Sequence, residues 1–454
     1  MKRNPSGKLP KNCFDTGTQF FLSYFQNIMR IRISALAAFL LVFYPDIASA
    51  QKAGDVLTPA TTRTTLQFLA SDAMKGRAVF SPEIDKAASM IAESFKKSGL
   101  QPLKGDSFLQ SFSVYSAAFK DLSAIIDQKE VPKDNIIVIT GAPELSVTEQ
   151  SGYKIESVKS GENFFRKASE LVHNNKNTIV LVDASFAASF KRLIVFKRIF
   201  FKRDYSTLFI LGNPAMKTFS INASHTIKER RLANVAGILP GRSKKEEYVI
   251  FSAHYDHLGI GQPENGDSIY NGANDDASGT TAVLMLADYF GKLKNNERSI
   301  IFTTFTAEES GGFGSQYFSK QLNPAAITAM LNIEMIGTDS KWGKNSAYIT
   351  GFEKSGLGAI LQKNLKGTGF EFYPDPYPDQ QLFYRSDNAT LAKLGVPAHT
   401  ISTSKMDNEP HYHKPGDEIE TLDLDNMTEI IRSIGLSAKT IISGEDTPSR
   451  VKEE

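Results

Sequence analysis

The chain has 454 residues, 41% of them apolar and 22% charged, an ordinary globular composition with material for one large core or two domains. Its formal charge of +2 becomes −2 once residues 1–50 are set aside, because 46 Lys/Arg then face 48 Asp/Glu, and so balanced a chain gives no support for nucleic-acid binding. The single cysteine, Cys13, excludes a disulfide framework.

Residues 1–50 read as an address. Arg30 and Arg32 precede the apolar run Ile33 to Tyr44, which ends in Ala48-Ser49-Ala50, so cleavage is expected after Ala50. Met29 leaves residues 1–28 as either a long leading region or an extended start. The run falls short of the roughly twenty residues a membrane span needs. The expected product is exported, periplasmic or secreted, with no stable membrane anchor.

Residues 51–117 form a helical prelude, in which Leu66, Phe68 and Leu69, then Ala87, Ile91, Ala92 and Phe95, recur at helical spacing until Gly99. Residues 118–230 change texture. Short apolar runs at Ile136 to Thr140, Ile179 to Val182 and Leu208 to Leu211 predict the strands of an inserted β-rich module. Within it, residues 190–203 set Lys191, Arg192, Lys197, Arg198, Lys202 and Arg203 around Phe196, Phe200 and Phe201. An amphipathic helix with snorkelling basic side chains is the favoured reading there, ahead of a membrane-surface or peptide-docking patch.

Residues 231–445 alternate strand, loop and helix: Val249 to Ala253, Thr280 to Leu293, Ser299 to Thr306, Met330 to Ile336. That rhythm predicts an α/β fold with a central mixed, mostly parallel sheet flanked by helices, and functional residues at the carboxyl ends of its strands. Residues 446–454 are a polar tail.

Six segments of this last domain concentrate its unusual polar residues. His254-Tyr255-Asp256-His257-Leu258-Gly259 follows a buried strand, where His254 can offer one ring nitrogen to a metal while Asp256 accepts from the other. Asn274-Asp275-Asp276-Ala277-Ser278-Gly279 opens a helix. One aspartate can cap it while Asp275 turns away to bridge two cations. In Thr306-Ala307-Glu308-Glu309-Ser310-Gly311-Gly312 the paired carboxylates of an extended segment point apart, one for metal and one for water. Asn332-Ile333-Glu334-Met335-Ile336-Gly337 puts a carboxylate in an apolar strand, where a metal or an arginine must compensate it. Tyr384-Arg385-Ser386-Asp387-Asn388 and His411-Tyr412-His413-Lys414-Pro415-Gly416-Asp417 complete the set.

Taken singly, each segment has an ordinary reading as a cap, an acidic turn or a surface loop. Together they supply His254, Asp275, Glu309, Glu334 and His413, a mixture of imidazole and carboxylate that suits zinc. Five ligands exceed the need of one catalytic ion and suit two with a bridging carboxylate. No HExxH helix, CxxC pair, GxSxG elbow or P-loop competes.

The ordered motifs HYDHLG, GANDDASG, TAEE with its Gly-rich turn, NIEMIG and YHKPGD, over about residues 232–440, resemble the exported di-zinc aminopeptidases, a family that also contains glutamate carboxypeptidase and the transferrin receptor. Phe68-Leu69-Ala70-Ser71-Asp72 with Gly76-Arg77 is similar to the start of these enzymes, and the 118–230 module sits where many carry a protease-associated domain. The resemblance implies two zinc ions, one on His254 and Glu334, the other on Glu309 and His413, with Asp275 between them. It implies Glu308 as the catalytic base, Asp256 as the partner of His254, and peptides as substrates. Two positions depart from the family pattern: Glu334 stands where most members have aspartate, and Asn388 where a histidine is common. The rivals are a carboxypeptidase, which needs a cationic pocket near Arg385, a one-zinc glutaminyl-cyclase-like enzyme, and a receptor-like ectodomain without catalysis.

Overall fold

Local sequence sets the first helices. Thr58 and Ser81 each accept a backbone N–H at 3.2 Å in front of a proline, opening α1 (Pro59–Leu69) and α2 (Pro82–Lys97). Ile84, Ala87, Ala88, Ile91 and Phe95 form the buried stripe of α2, and Gly99, at φ 77°, stops it. This computed structural model describes residues 55–452 apart from 213 and 215. The expected leader, with Cys13 and the cleavage site after Ala50, lies outside the described residues.

The strands that follow are β1 (Leu109–Ile126), β2 (Phe219–Leu239), β3 (Lys244–His254), β4 (Arg298–Phe305), β5 (Ile327–Ile333), β6 (Ser346–Ile349), β7 (Glu371–Pro374) and β8 (Ala398–Ser402). Interleaved with them are α3 (Gly279–Leu293), α4 (Leu357–Asn364) and α5 (Leu424–Ser437). They form the spine of an eleven-stranded sheet in the order β7-β6-β8-β5-β3-β4-β2-β1. β4, β3, β5 and β8 are mutually parallel at its centre, while β2 joins β4 and β6 joins β8 antiparallel. The fold is thus the expected mixed, mostly parallel α/β sheet flanked by helices.

Alternation of side chains along the central strands feeds two cores. Val249, Phe251, Ile300, Phe302, Ala329 and Leu331 face the helices α1, α2, α3 and α5, while Ile250, Ile301 and Met330 face Phe318, Leu391 and Val396 on the other side. Burial on both faces explains why these strands read as continuous apolar runs.

The inserted module departs from expectation in two respects. β1 and β2 run unbroken out of the main sheet as a ribbon, in register from Leu109↔Val235 to Ile126↔Phe219, so the expected boundaries at 117/118 and 230/231 fall inside strands. Its own sheet, in the order Ile136–Ile139, Thr207–Leu211, Thr178–Val182, Lys154–Val158, carries a crossover helix, Phe164–Val172, between the parallel neighbours Lys154–Val158 and Thr178–Val182. The module is therefore an α/β layer. Segment 190–203 forms no amphipathic α-helix: Lys191–Lys197 is a run of 3-10 turns that buries Leu193 and leaves Ile194 and Val195 exposed.

Candidate metal centre

The named side chains converge where the parallel strands end. His254 is the last residue of β3, Glu308 and Glu309 lie three and four residues beyond β4, and Glu334 lies one beyond β5. Asp275 comes from the turn before α3, and His413 from the loop after β8. Asp275 sits between two histidines, with Oδ1 3.2 Å from His254 Nε2 and Oδ2 3.3 Å from His413 Nε2. Glu309 reaches His413 Nε2 at 3.2 Å through Oε2 and His257 Nδ1 at 2.8 Å through Oε1.

Backbone and side-chain hydrogen bonds hold these loops in place. Asp276 accepts from the amides of Gly279 (3.0 Å), Met335 (3.1 Å) and His254 (3.2 Å), so one carboxylate caps α3 and ties together three of the site's segments. Its role as cap frees Asp275. Asp417 accepts from the amides of Asn274 (2.8 Å) and Asp275 (3.0 Å). Gly272, at φ 57°, has no room for a side chain, since a Cβ there would meet Asp275 O at 2.3 Å and His257 Cδ2 at 2.5 Å. Beneath the loops Arg77 is fully buried and spends its guanidinium on four carbonyls, those of Tyr255 (3.0 Å), Leu69 (2.6 Å), Asn271 (2.6 Å) and Gly272 (3.0 Å).

Burial and mutual repulsion shift the carboxyls of the cluster. Burial, reinforced by Glu334 and Asp387, pushes the Glu308 carboxyl well above the usual range, and burial with the charges of Asp275 and Glu309 raises Glu334. Asp276 rises for the same reasons, burial first and then Glu334 and Asp275. Burial would also raise Asp275, but His254 and His413 outweigh it and hold that carboxyl down. His257 Nε2 is buried without a hydrogen bond among the described residues, whereas His254 Nε2, His257 Nδ1 and Glu309 Oε1 are buried with only the carboxylate–imidazole contacts given above. Two triads have their ligand atoms within 4.8 Å of one another, His254–Asp275–Glu334 and His257–Asp275–Glu309. Both contain Asp275. Buried carboxylates crowded against imidazole nitrogens are a donor set that fits zinc.

The described cleft beside the cluster, of about 70 Å³, is lined by Asp275, Glu308, Glu334 and His413 together with Tyr348, Leu382, Met406 and Tyr412.

Four local expectations change. His254 Nδ1 lies 3.1 Å from the Asp256 carbonyl and 3.9 Å from its carboxylate, so the main chain takes the orienting role and the side chain instead accepts from Glu308 N at 3.1 Å. The physical reason is that the extended conformation stops at His254, and strand alternation no longer governs Asp256. Glu308 and Glu309 lie in a turn after Ala307 (φ 56°), where Gly311 N and Gly312 N close onto Glu308 O, and not on an extended segment. Glu334 stands just past its strand, half-buried, with Ser386 Oγ as its hydrogen-bond donor and no arginine paired with it among the described residues. Asn388 is buried and donates to the carbonyls of Phe383 and Ala398, a structural post within the loop.

Three residues escaped the sequence reading. His257 stood in the HYDHLG motif as a second histidine, but its reach to Glu309 depends on a backbone contact with Arg77 O (3.3 Å). Asp417 and Arg77 stood in quoted motifs without a role. Exposed Arg385 lines the cleft and bonds Gln380 Oε1 at 3.3 Å.

Residues 234–436 match peptidase family M28. Leucine aminopeptidase 1 of Ajellomyces dermatitidis is 32% identical over 213 residues, 43% of this chain and 52% of that protein. Leucine aminopeptidase 1 of Fusarium vanettenii is 26% identical over 327 residues, covering 66% and 78%. The chain spans about half the length of the curated relatives it matches at 29–32% identity. In fold it is similar to the aminopeptidase from Aneurinibacillus sp. strain AM-1 (TM-score 0.52, 19% identity, 89% of this chain and 98% of that one). It is similar as well to a zinc aminopeptidase from Bacillus subtilis (TM-score 0.51, 16% identity, 88% and 98%).

Proposed function

We propose that this chain, which carries a peptidase family M28 domain over residues 234–436, is an exported aminopeptidase that removes N-terminal residues from peptides with the help of two zinc ions. The observation that carries the reading is the pair of triads sharing Asp275, with Glu308 in the same cleft. His254 and Glu334 would hold one ion, Glu309 with His413 and His257 the other, and Asp275 both. Zinc held there supplies Lewis acidity toward the scissile carbonyl and toward water. Export rests on the leader read in residues 1–50.

The chain's own groups supply the proton path. Glu308 borders the cleft beside the ligand set, placed to take a proton from the attacking water and return it to the leaving amine. Asp256, by accepting from Glu308 N, fixes the turn that carries this carboxylate.

Arg385 on the cleft wall is the one observation that favours a carboxypeptidase. A panel of aminoacyl chromogenic substrates, free and N-blocked, and of peptides with free or amidated C-termini, assayed with zinc and with a chelator, separates the readings. Turnover should require a free N-terminus and metal. Turnover of N-blocked peptides that stops on C-terminal amidation would replace this proposal with the carboxypeptidase.

A further inference from the structure

A second cavity, of about 530 Å³, lies far from the metal cluster along the chain, between the β1–β2 ribbon and the inserted module. Its size is that of a small-molecule site. The walls are apolar: Ala117 and Leu122 from the ribbon, Ile136 and Val138 from the module's sheet, Ile194 from the 3-10 turns. Ionisable groups at this cavity are basic in excess. Lys133 is neutralised by Asp121 at 2.6 Å and Lys191 faces Asp134 at 3.6 Å, but Lys197 and Arg198 have no carboxylate partner among the described residues. Lys197 is only 9% exposed, an uncommon state for an ammonium group without a counter-ion, and its Nζ lies 5.6 Å from the Phe119 ring centroid.

His225 is an independent sign. It is 2% exposed, lines the same cavity edge-on to Phe119, and neither ring nitrogen has a hydrogen-bond partner among the described residues. Buried polar groups left open in this way mark a place where another molecule completes the set.

We infer that this cavity binds a medium-chain fatty acid, its carboxylate at Lys197 and Arg198 and its alkyl chain along Ala117, Leu122, Ile136 and Val138. Charge complementarity selects an anion, and the apolar walls select a tail without amides. A peptide would bring several N–H and C=O groups that these walls cannot satisfy. A membrane surface would meet the outward Val195, which does not line the cavity, and leave the cavity itself empty.

The test is a fluorescence titration of the purified full chain with 11-(dansylamino)undecanoate, displaced by laurate. Saturable binding of one equivalent is expected, with laurate displacing it far better than 1-dodecanol. Lys197→Met should weaken laurate by about tenfold or more, the loss expected for one charge-assisted hydrogen bond. Ala118→Trp, at an exposed position on the cavity wall, should block binding while leaving aminopeptidase turnover unchanged and so reporting an intact fold. Equal laurate affinity in the wild type and both variants would overturn the inference. So would better displacement by a hydrophobic peptide with a free C-terminus. Binding seen only as sedimentation with anionic phospholipid vesicles, and lost in Val195→Asp, a substitution outside the cavity wall, would also overturn it in favour of a surface patch.

Discussion

The cleft at the carboxyl ends of β3, β4 and β5 and the cavity beside the inserted module both bury ionisable groups, but with opposite sign and opposite support. In the cleft the excess is negative, and each loop that carries it is tied by Asp256, Asp276 or Asp417. In the cavity the excess is positive, and among the described residues no carboxylate pairs with Lys197 and no hydrogen bond holds the His225 ring. The difference teaches that the sign of an uncompensated buried charge indicates the class of ligand, whereas the hydrogen bonds around it indicate how firmly geometry must be kept. A reaction needs side chains held within fractions of an ångström. An alkyl chain needs only a dry wall and one counter-charge.

The largest expected effect separates the two kinds of carboxylate within the cleft. Glu308→Gln should lose about 10² to 10⁴ in turnover while keeping its zinc, and Asp275→Asn should lose zinc and turnover together. Metal analysis beside kinetics decides this, and near-wild-type turnover by Glu308→Gln with zinc in place would sink the assignment of the base.

Arg77→Met tests the scaffold. Four carbonyls lose a buried charged donor, so a denaturant titration should show a loss on the order of 3 kcal/mol, with the cleft loops exchanging amide hydrogens faster. An unchanged midpoint would show that water or the loops themselves replace the guanidinium.

A smaller effect is expected from His257→Asn. Zinc titration should resolve two affinities and show one of them weakened by about 10- to 100-fold, since the triad His257–Asp275–Glu309 loses a nitrogen while His254–Asp275–Glu334 is untouched. If both affinities stay at their wild-type values, His257 serves packing alone.

The weakest effect belongs to the cavity and follows pH. Burial first and then Lys197 lower the His225 imidazole from 6.5 to about 4. Between those values the unfolded chain binds more protons than the folded one, so this contribution to stability is complete above pH 6.5 and is lost as pH falls toward 4. Buried His399, also lowered to about 4, adds to the same acid limb. His225→Phe should flatten part of that limb in thermal melts recorded from pH 7 to 4, and a limb of unchanged steepness would refute the assignment.

Where local grammar dominates, the sequence was readable. The stripe of α2 and the apolar runs of β3, β4 and β5 are short-range patterns, and the structure places each within a few residues of its expected span. Reading failed where the chain leaves regular structure. Asp256, Glu308 and Glu334 all lie past strand ends, where no period of two or of 3.6 says which way a side chain points. The 190–203 segment failed differently: its alternation of basic and apolar residues is compatible with helix, but packing of Leu193 and Phe190 against the module's core draws it into 3-10 turns.

By itself, then, the sequence determined the layer architecture, the chemical kind of each donor and the order in which His254, Asp275, Glu308, Glu309, Glu334 and His413 occur, because periodicity and residue type are properties of the chain alone. Only the tertiary structure decided that His257 faces Glu309, that a carbonyl and not a carboxylate orients His254, that Arg77 lies beneath four loop carbonyls, and that Lys197 and His225 share one cavity. Those contacts join residues as far apart as 195 positions, Arg77 to Gly272, and they form because buried polar groups must find partners wherever the packed core brings them.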